Sequence, residues 1–251
     1  MIDIDIASCL QTGSRDHNED DLRSGHAGLL SWAVLSDGAG GHRRGDEASR
    51  LVVATIDERL AQASLGGHLQ AVALAAAVEC AHGRLSDAQA GSAGRQRMHA
   101  TVVVLWIDRG RGEALWAHVG DSRLYRVRDG RAEALTRDDS VVQQMVDAGF
   151  LTPQAARHHP RKNQLLSALG GAEPVEVHVT AQAQPLHDGD AFLLCSDGWW
   201  DTLEAEAIAR SCQASADAAR WLAAMRDDIA AQALATQDNF SAVALRLHRR
   251  R

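Results

Sequence analysis

One short pattern occurs twice in this sequence: a run of apolar residues that ends in Ser-Asp-Gly. The first run covers residues 32–35 and leads to Asp37, and the second covers residues 191–195 and leads to Asp197. Apolar runs of this length are typical of buried strands, and a glycine after the aspartate predicts a sharp backbone turn. The sequence therefore predicts two aspartates at the ends of two buried strands.

Acidic residues also stand beside other strand-like stretches. Asp238 precedes an apolar stretch, Asp121 follows another, and Glu19 and Asp20 belong to an Asn-Glu-Asp-Asp sequence. Taken singly, Asp-Gly and Asp-Asn pairs mark ordinary turns. Their joint occurrence favours one shared site, and carboxylate oxygens are the ligands that Mg²⁺ and Mn²⁺ prefer. We therefore expect a common binding site for hard divalent cations.

Composition narrows the class of protein. A chain of 251 residues with 45% hydrophobic residues can bury a large core, and we treat residues 1–251 as one domain. The net charge of -7 argues against a nucleic-acid partner. No apolar stretch is long enough to span a membrane, and the N-terminus does not resemble a signal peptide. We expect a cytoplasmic monomer that binds neither nucleic acid nor membrane.

Histidine and cysteine spacings give no second metal signature. The twelve histidines contain no His-Glu-x-x-His pair, and the four cysteines contain no Cys-x-x-Cys pair. The sequence therefore predicts neither a structural zinc site nor a disulfide framework.

Strand-like and helix-like stretches are grouped along the chain. Strands are predicted at residues 2–10, 31–36, several times between 100 and 135, near 175–180, and at 190–196 and 240–247, and helices at 46–62, 68–89, 204–211 and 215–235. The Asp129-Gly130 pair between two strand-like runs predicts a hairpin. This grouping favours an α+β protein with antiparallel sheets over βαβ alternation. Residues 140–167 are polar and proline-broken, so we predict a flap over the site.

Seven motifs occur in the order typical of one known family. They are residues 15–20, 37–41, 120–123, 135–140, 166–170, 196–198 and 238–239. With these motifs the sequence resembles the PPM family, the metal-dependent protein Ser/Thr phosphatases of type 2C, in its bacterial single-domain form. The resemblance implies a four-layer α-β-β-α sandwich of two antiparallel sheets flanked by helix pairs, with the metals in a cleft between the sheets.

The resemblance also implies which residues bind metal. Asp37 would bridge two divalent cations, Mn²⁺ or Mg²⁺, and the backbone carbonyl of Gly38 would bind one of them. Asp197 and Asp238 would bind the other cation. Asp121 would share a third, more weakly held cation with Asp197. The implied content is two to three divalent cations that activate a water molecule for attack on phosphorus.

Other residues would act on the substrate. By the same resemblance, Glu19 and Asp20 would hold waters on the cations, and Arg15 would bind the substrate phosphate through paired hydrogen bonds. Many relatives carry a histidine two positions after the bridging aspartate, where it is thought to protonate the leaving alcohol. Here that position is Ala39, and the nearby His42 is the candidate acid.

Two further stretches depart from the family pattern. His99 and Ala100 stand in a stretch that is usually Met-Gly-Thr-Thr, and Asp139 replaces a common histidine. None of these departures removes an expected metal ligand.

We expect the chain to hydrolyse phosphoserine and phosphothreonine in proteins, counteracting a bacterial Ser/Thr kinase or acting on that kinase's target. Some details resemble the phosphatases that reverse a Thr kinase controlling type VI secretion. One alternative is a docking module of the same fold that binds metal but turns over weakly. Another is a cysteine-dependent phosphatase, because Cys9 and Arg15 have the spacing of such enzymes.

Overall fold

Two antiparallel sheets, each covered by helices, make up the protein in a computed structural model that describes residues 1–40, 44–91, 97–232 and 236–249. The strands are β1 (Ile2–Gln11), β2 (Asp20–Ala27), β3 (Leu30–Gly40), β4 (Met98–Ala100), β5 (Val102–Asp108), β6 (Glu113–Val119), β7 (Arg123–Arg128), β8 (Arg131–Ala134), β9 (His178–Val179), β10 (Gln184–Pro185), β11 (Ala191–Cys195) and β12 (Phe240–Arg249). The helices are α1 (Gly45–Ser64), α2 (Ala71–Ala88), α3 (Val141–Asp147), α4 (Pro153–Arg157), α5 (Asp197–Trp200), α6 (Ala205–Ala214) and α7 (Ala218–Ala231).

The first sheet has the strand order β1-β12-β11-β7-β8. Its longest pairing joins β1 to β12, from Ile2 opposite Arg249 to Gln11 opposite Phe240. The second sheet has the order β10-β6-β5-β3-β2, with β4 paired to β3 and β9 paired to β6. Both sheets therefore bring strands from distant parts of the chain side by side.

Among the described residues, three hydrophobic clusters define the layers. Helices α1 and α2 pack on the outer face of the second sheet, and α5, α6 and α7 pack on that of the first. The third cluster lies between the sheets and includes Leu35 and Phe192. In β5, Val104 faces the helices and Leu105 faces the other sheet, so both faces of this strand are apolar. The predicted α+β fold, an α-β-β-α sandwich, is confirmed.

The predicted β7–β8 hairpin is confirmed as well. Its two loop residues, Asp129 and Gly130, have φ angles of 50° and 74°. Positive φ at both loop positions is the conformation that a two-residue hairpin with the normal strand twist requires.

The predicted turns at the two Ser-Asp-Gly motifs are wrong. Strand β3 continues through Gly38, and Gly198 lies inside helix α5. At both positions another backbone segment passes so close that no side chain would fit. A Cβ atom on Gly38 would lie 1.9 Å from the carbonyl oxygen of Gly45, and one on Gly198 would lie 2.2 Å from that of Asn239. Both glycines therefore permit dense packing around the aspartates.

Strand β2 (Asp20–Ala27) was not predicted from the sequence. It forms the edge of the second sheet, and its sequence is mostly polar. Gly25 in this strand leaves room for a ring, because a Cβ atom there would lie 2.5 Å from Cζ2 of Trp32. In the described part of the chain, no helix has the length and apolar character needed to cross a bilayer.

Candidate metal centre

A cavity of ≈ 250 Å³ lies where segments of both sheets meet. It is lined by Arg15, Glu19, Asp37, Gly38, Ala39, His99, Ala100, Thr101, Asp121, Asn163, Leu165, Ala168, Asp197, Asp238 and Asn239. Of the predicted site residues, the structure brings together seven in this lining, while Asp20 lies behind it. His42 falls in residues 41–43, outside the described part of the chain, so its role stays a prediction.

Different elements supply the acidic side chains. Asp37 lies in β3, Asp121 follows β6, Asp197 is the first residue of α5, and Asp238 precedes β12. Glu19 stands directly before β2. These five carboxyl groups share the cavity with one described cationic side chain, that of Arg15, so the cavity carries a large excess of negative charge.

Asp20 is buried behind the cavity, where it is 7% exposed and lies opposite Asp37 in the β2–β3 pairing. Its Oδ2 accepts a hydrogen bond of 2.9 Å from Ser196 Oγ, whereas its Oδ1 has no partner among the described residues. Burial raises the pKa of Asp20 to about 6. An unpartnered buried oxygen is costly unless a ligand or a water satisfies it.

The carboxyl groups also raise one another's proton affinity. Loss of hydration, followed by repulsion from neighbouring aspartates, holds the pKa values of Asp37 and Asp197 well above their usual range. Burial and repulsion from Asp138 raise the pKa of Asp121 to about 7. Carboxylates this close and this poorly hydrated are stabilised by an added cation.

A backbone oxygen joins the carboxylates. The amide of Gly38 donates a hydrogen bond of 3.1 Å to the carbonyl of Glu19. A Cβ atom on Gly45 would lie 2.7 Å from the carbonyl oxygen of Gly38 and 2.5 Å from Cδ of Glu19. These two groups are therefore neighbours, and only glycine fits beside them. The resulting donor set consists of oxygens, which fits Mg²⁺ or Mn²⁺.

Arg15 lies at the mouth of the cavity. Its Nη2 is 2.6 Å from Oδ2 of Asp238, and its side chain is 58% exposed. The ion pair orients the guanidinium while leaving most of it open to solvent, which suits a group that binds a phosphate arriving from outside.

Polar side chains that sequence reasoning missed hold the cavity in shape. The Asn239 side chain accepts from the Glu19 amide at 2.8 Å and donates to the carbonyls of Thr12 and His17 at 2.8 and 2.9 Å. Thr101 Oγ1 accepts from the Asp37 amide at 3.1 Å. Asn239 belongs to the motif at residues 238–239, but its hydrogen-bond partners lie more than 200 residues away and leave no local signal in the sequence.

His99 is a further residue that the sequence did not identify as part of the site. In the β3–β4 pairing it lies directly opposite Ala39, the position where many relatives carry a histidine. Its half-buried ring reaches the cavity lining, and burial together with the charge of Arg97 lowers its pKa. An imidazole is thus present on this wall of the cavity, but on the neighbouring strand.

The predicted flap contributes directly to the lining through Asn163 and Leu165. Arg157 in α4 pairs with Glu204 at 2.8 Å, and Lys162 pairs with Asp201. These ion pairs attach the segment to the region around α5, whose first residue is Asp197.

The cysteine alternative finds no support at Cys9. This residue lies in β1 opposite Ala242 and packs against the core beneath the helices. Burial raises the pKa of its thiol, which disfavours the thiolate that such chemistry needs. Cys9 does not belong to the described lining of the cavity.

Two antiparallel sheets between helix layers, with an oxygen-rich cleft where the sheets meet, define a class of four-layer proteins suited to holding divalent cations. Within that class, this chain belongs to the protein phosphatase 2C family, whose model matches residues 7–237. The family resemblance seen in the sequence is confirmed.

Individual relatives agree with this assignment. Over 199 residues, 79% of this chain, the sequence is 36% identical to the serine/threonine protein phosphatase PstP of Mycobacterium tuberculosis. The match covers 37% of the length of that relative. The structure of the catalytic domain of PstP in complex with two manganese ions superimposes with a TM-score of 0.84 at 29% identity, covering 99% of this chain and 100% of that one. PppA, a regulatory component of type VI secretion in Pseudomonas aeruginosa, gives a TM-score of 0.76 at 30% identity and 97% coverage of each chain.

Proposed function

We propose that this chain is a metal-dependent phosphatase that removes phosphate from phosphoserine and phosphothreonine in proteins. The observation that carries the proposal is the shared cavity, which holds five acidic side chains, a backbone carbonyl and one arginine. The family assignment and the phosphatase names of the relatives support it. The two manganese ions of the PstP catalytic domain support Mn²⁺ or Mg²⁺ as the cofactor.

The metal ligands we propose are the residues assembled in the cavity. Asp37 and the carbonyl of Gly38 would hold one cation, and Asp37, Asp197 and Asp238 a second. Asp121 and Asp197 would hold a third. Bound divalent cations supply Lewis acidity and lower the pKa of water, which allows hydrolysis near neutral pH without a protein nucleophile.

The protein's own groups bind and orient the substrate. The exposed guanidinium of Arg15, steadied by Asp238, can donate two parallel hydrogen bonds to phosphate oxygens. On β4, the strand paired with β3, the imidazole of His99 lies in the cavity lining opposite Ala39, and we propose this ring as the group that exchanges a proton with the departing alcohol. Glu19 and the buried Asp20 would hold waters on the bound cations, and Ser196 Oγ donates a hydrogen bond that fixes the carboxylate of Asp20.

We propose as partner a bacterial Ser/Thr kinase or its phosphorylated target, with the chain acting as a cytoplasmic monomer. Similarity to PppA supports a role in type VI secretion as one setting. We also propose that residues 1–251 act as a single phosphatase domain, with residues 140–167 as a flap beside the cavity.

Metal-dependent turnover tests this function. The purified chain should release phosphate from a phosphothreonine peptide when Mn²⁺ or Mg²⁺ is present, stop in excess chelator, and recover when metal is restored. Release that continues in chelator would exclude the metal mechanism. Calorimetric metal binding without any release would instead identify the chain as a docking module.

A further inference from the structure

A cluster of two histidines and one aspartate lies outside the carboxylate cavity. His118 is in β6, Asp139 follows β8, and His178 is in β9. The β6–β9 pairing places His118 directly opposite His178, and their rings stack with centroids 4.9 Å apart. One ligand atom from each of the three side chains lies within 4.8 Å of the other two. Strand pairing therefore collects three metal-ligating groups at one point.

Hydrogen bonds fix the orientation of two of these groups. His118 Nε2 is 2.8 Å from the carbonyl oxygen of Arg137. A carbonyl only accepts, so Nε2 carries the proton and Nδ1 keeps a free lone pair. Asp139 Oδ2 accepts from the Gly120 amide at 2.9 Å, which leaves Oδ1 facing His178 Nε2 at 2.8 Å. Outer partners of this kind hold histidine and carboxylate ligands in position at metal sites.

One side of the cluster is buried in the protein, and the other side is exposed to solvent. His118 is 6% exposed, while the side chains of Asp139 and His178 are 13% and 41% exposed. Burial lowers the pKa of His118, so its ring is neutral at neutral pH and able to bind a cation. The exposed ring of His178 leaves a path for an ion to enter from solvent.

We propose that His118, Asp139 and His178 form a binding site for one divalent transition-metal ion of the zinc type. Two imidazole nitrogens with one carboxylate suit Zn²⁺ and Co²⁺, whereas Mg²⁺ prefers oxygen ligands. Three protein ligands leave a fourth position for water, as in open zinc sites. The spacing of these residues resembles no zinc motif, because their proximity arises from strand register.

An ion bound at this site would link three separate segments of the folded chain. The ligands come from three segments that are distant in sequence, so the site exists only in the folded chain. An ion that binds the folded state and not the unfolded state stabilises the fold in proportion to its occupancy. The site also touches the carboxylate cavity indirectly, because the Gly120 that holds Asp139 precedes Asp121.

The test uses Co²⁺ as a coloured substitute for Zn²⁺. The full chain is stripped with chelator, saturated with Mg²⁺, and titrated with Co²⁺ by calorimetry and visible absorption. The His178→Ala variant removes one ligand from a partly exposed ring. The matched control is His26→Ala, which removes an exposed histidine from β2. Because Co²⁺ can also replace Mg²⁺ among the carboxylates, the deciding quantity is the difference between these variants.

We expect His178→Ala to lose one equivalent of Co²⁺, together with the absorption of a nitrogen-ligated ion. His26→Ala should match the parent. Zn²⁺ added over saturating Mg²⁺ should raise the Tm of the parent and of His26→Ala more than that of His178→Ala. Equal Co²⁺ stoichiometry, affinity and spectra in all three proteins would overturn the proposal, as would an equal rise in Tm.

Discussion

The carboxylate cavity and the histidine cluster lie on either side of Gly120 but differ in their charge balance. In the cavity, five carboxyl groups face one arginine, and Asp20 keeps an oxygen without a described partner. In the cluster, the single carboxylate of Asp139 is already hydrogen bonded through both oxygens. The cavity is therefore strained by repulsion without cations, whereas the cluster is stable by itself. A need for metal and a capacity for metal are therefore separate properties of the two regions.

The largest expected effect follows from changing the charge of the cavity at its centre. Asp37→Asn should lower phosphopeptide turnover by at least about 1,000-fold, because a position shared by two cations needs charge on both oxygens. Initial rates at saturating Mn²⁺ measure this. Asp21→Asn, a change of the same kind in β2 and outside the cavity lining, is the matched control and should keep the parental rate. If Asp37→Asn kept the parental activity, the carboxylate cavity would not need its charge, and its contrast with the histidine cluster would be wrong.

A smaller effect is expected at the boundary of the two regions. Asp121→Ala should fold normally, because the indole of Trp200 bonds to the backbone carbonyl of Asp121 and not to its side chain. It should keep the two tight cations but lose about 10- to 100-fold in kcat, since a charge positioned for the reaction is missing. Tm, metal stoichiometry and kcat on one preparation decide the matter. A destabilised variant with parental kcat would make Asp121 a structural residue.

A selective effect is expected from His99. Replacing it by Ala should slow a phosphothreonine peptide by about 10-fold while leaving nitrophenyl phosphate within about 2-fold, because nitrophenolate leaves without a proton. The same pair of substrates applied to His42→Gln separates the two candidate acids. Equal slowing of both substrates by His99→Ala would mean that this ring shapes the cavity without donating a proton.

The smallest effect concerns stability and pH. Because the folded-state pKa values of Asp20 and Asp121 are raised to about 6 and about 7 from 3.8, the metal-free folded chain binds more protons than the unfolded chain. Its free energy of unfolding therefore falls as pH rises through this range. We expect the Tm in chelator to drop by a few degrees between about pH 5 and about pH 8, and saturating Mg²⁺ to remove the drop. A smaller drop in Tm for Asp121→Asn would confirm that the raised pKa of Asp121 contributes to it. An unchanged dependence of Tm on pH would contradict that contribution.

Much of the fold was predictable from local patterns. Alternation in β1, the apolar runs of β6 and β11, and the Asp129-Gly130 loop depend on neighbouring residues, so sequence periodicity reveals them. Strand β2 was missed because an exposed edge strand has little apolar periodicity. The roles of Gly38 and Gly198 were misjudged because a close approach by a distant backbone leaves no local signature.

The candidate site likewise contains residues that local motifs predict and residues that only the assembled sheets bring together. Each predicted carboxylate belongs to a short motif, and the structure places five of them in one cavity. His99 and the histidine cluster depend on which strands pair and in which register, as in Ala39 opposite His99. Register is a property of the assembled sheet, so a single sequence without aligned relatives could not locate them.

The hydrogen bonds of Asn239 bear on when the cavity can form during synthesis of the chain. They join the segment around Thr12, His17 and Glu19 to the start of β12. During synthesis, the segment around Glu19 is made more than two hundred residues before Asn239. Its hydrogen bonds to the Asn239 side chain can therefore form only late in synthesis. Contacts of such long sequence separation also form slowly. Without residues 238–239 the chain lacks both Asp238 and these hydrogen bonds, so we expect metal binding to require that β12 has paired with β1.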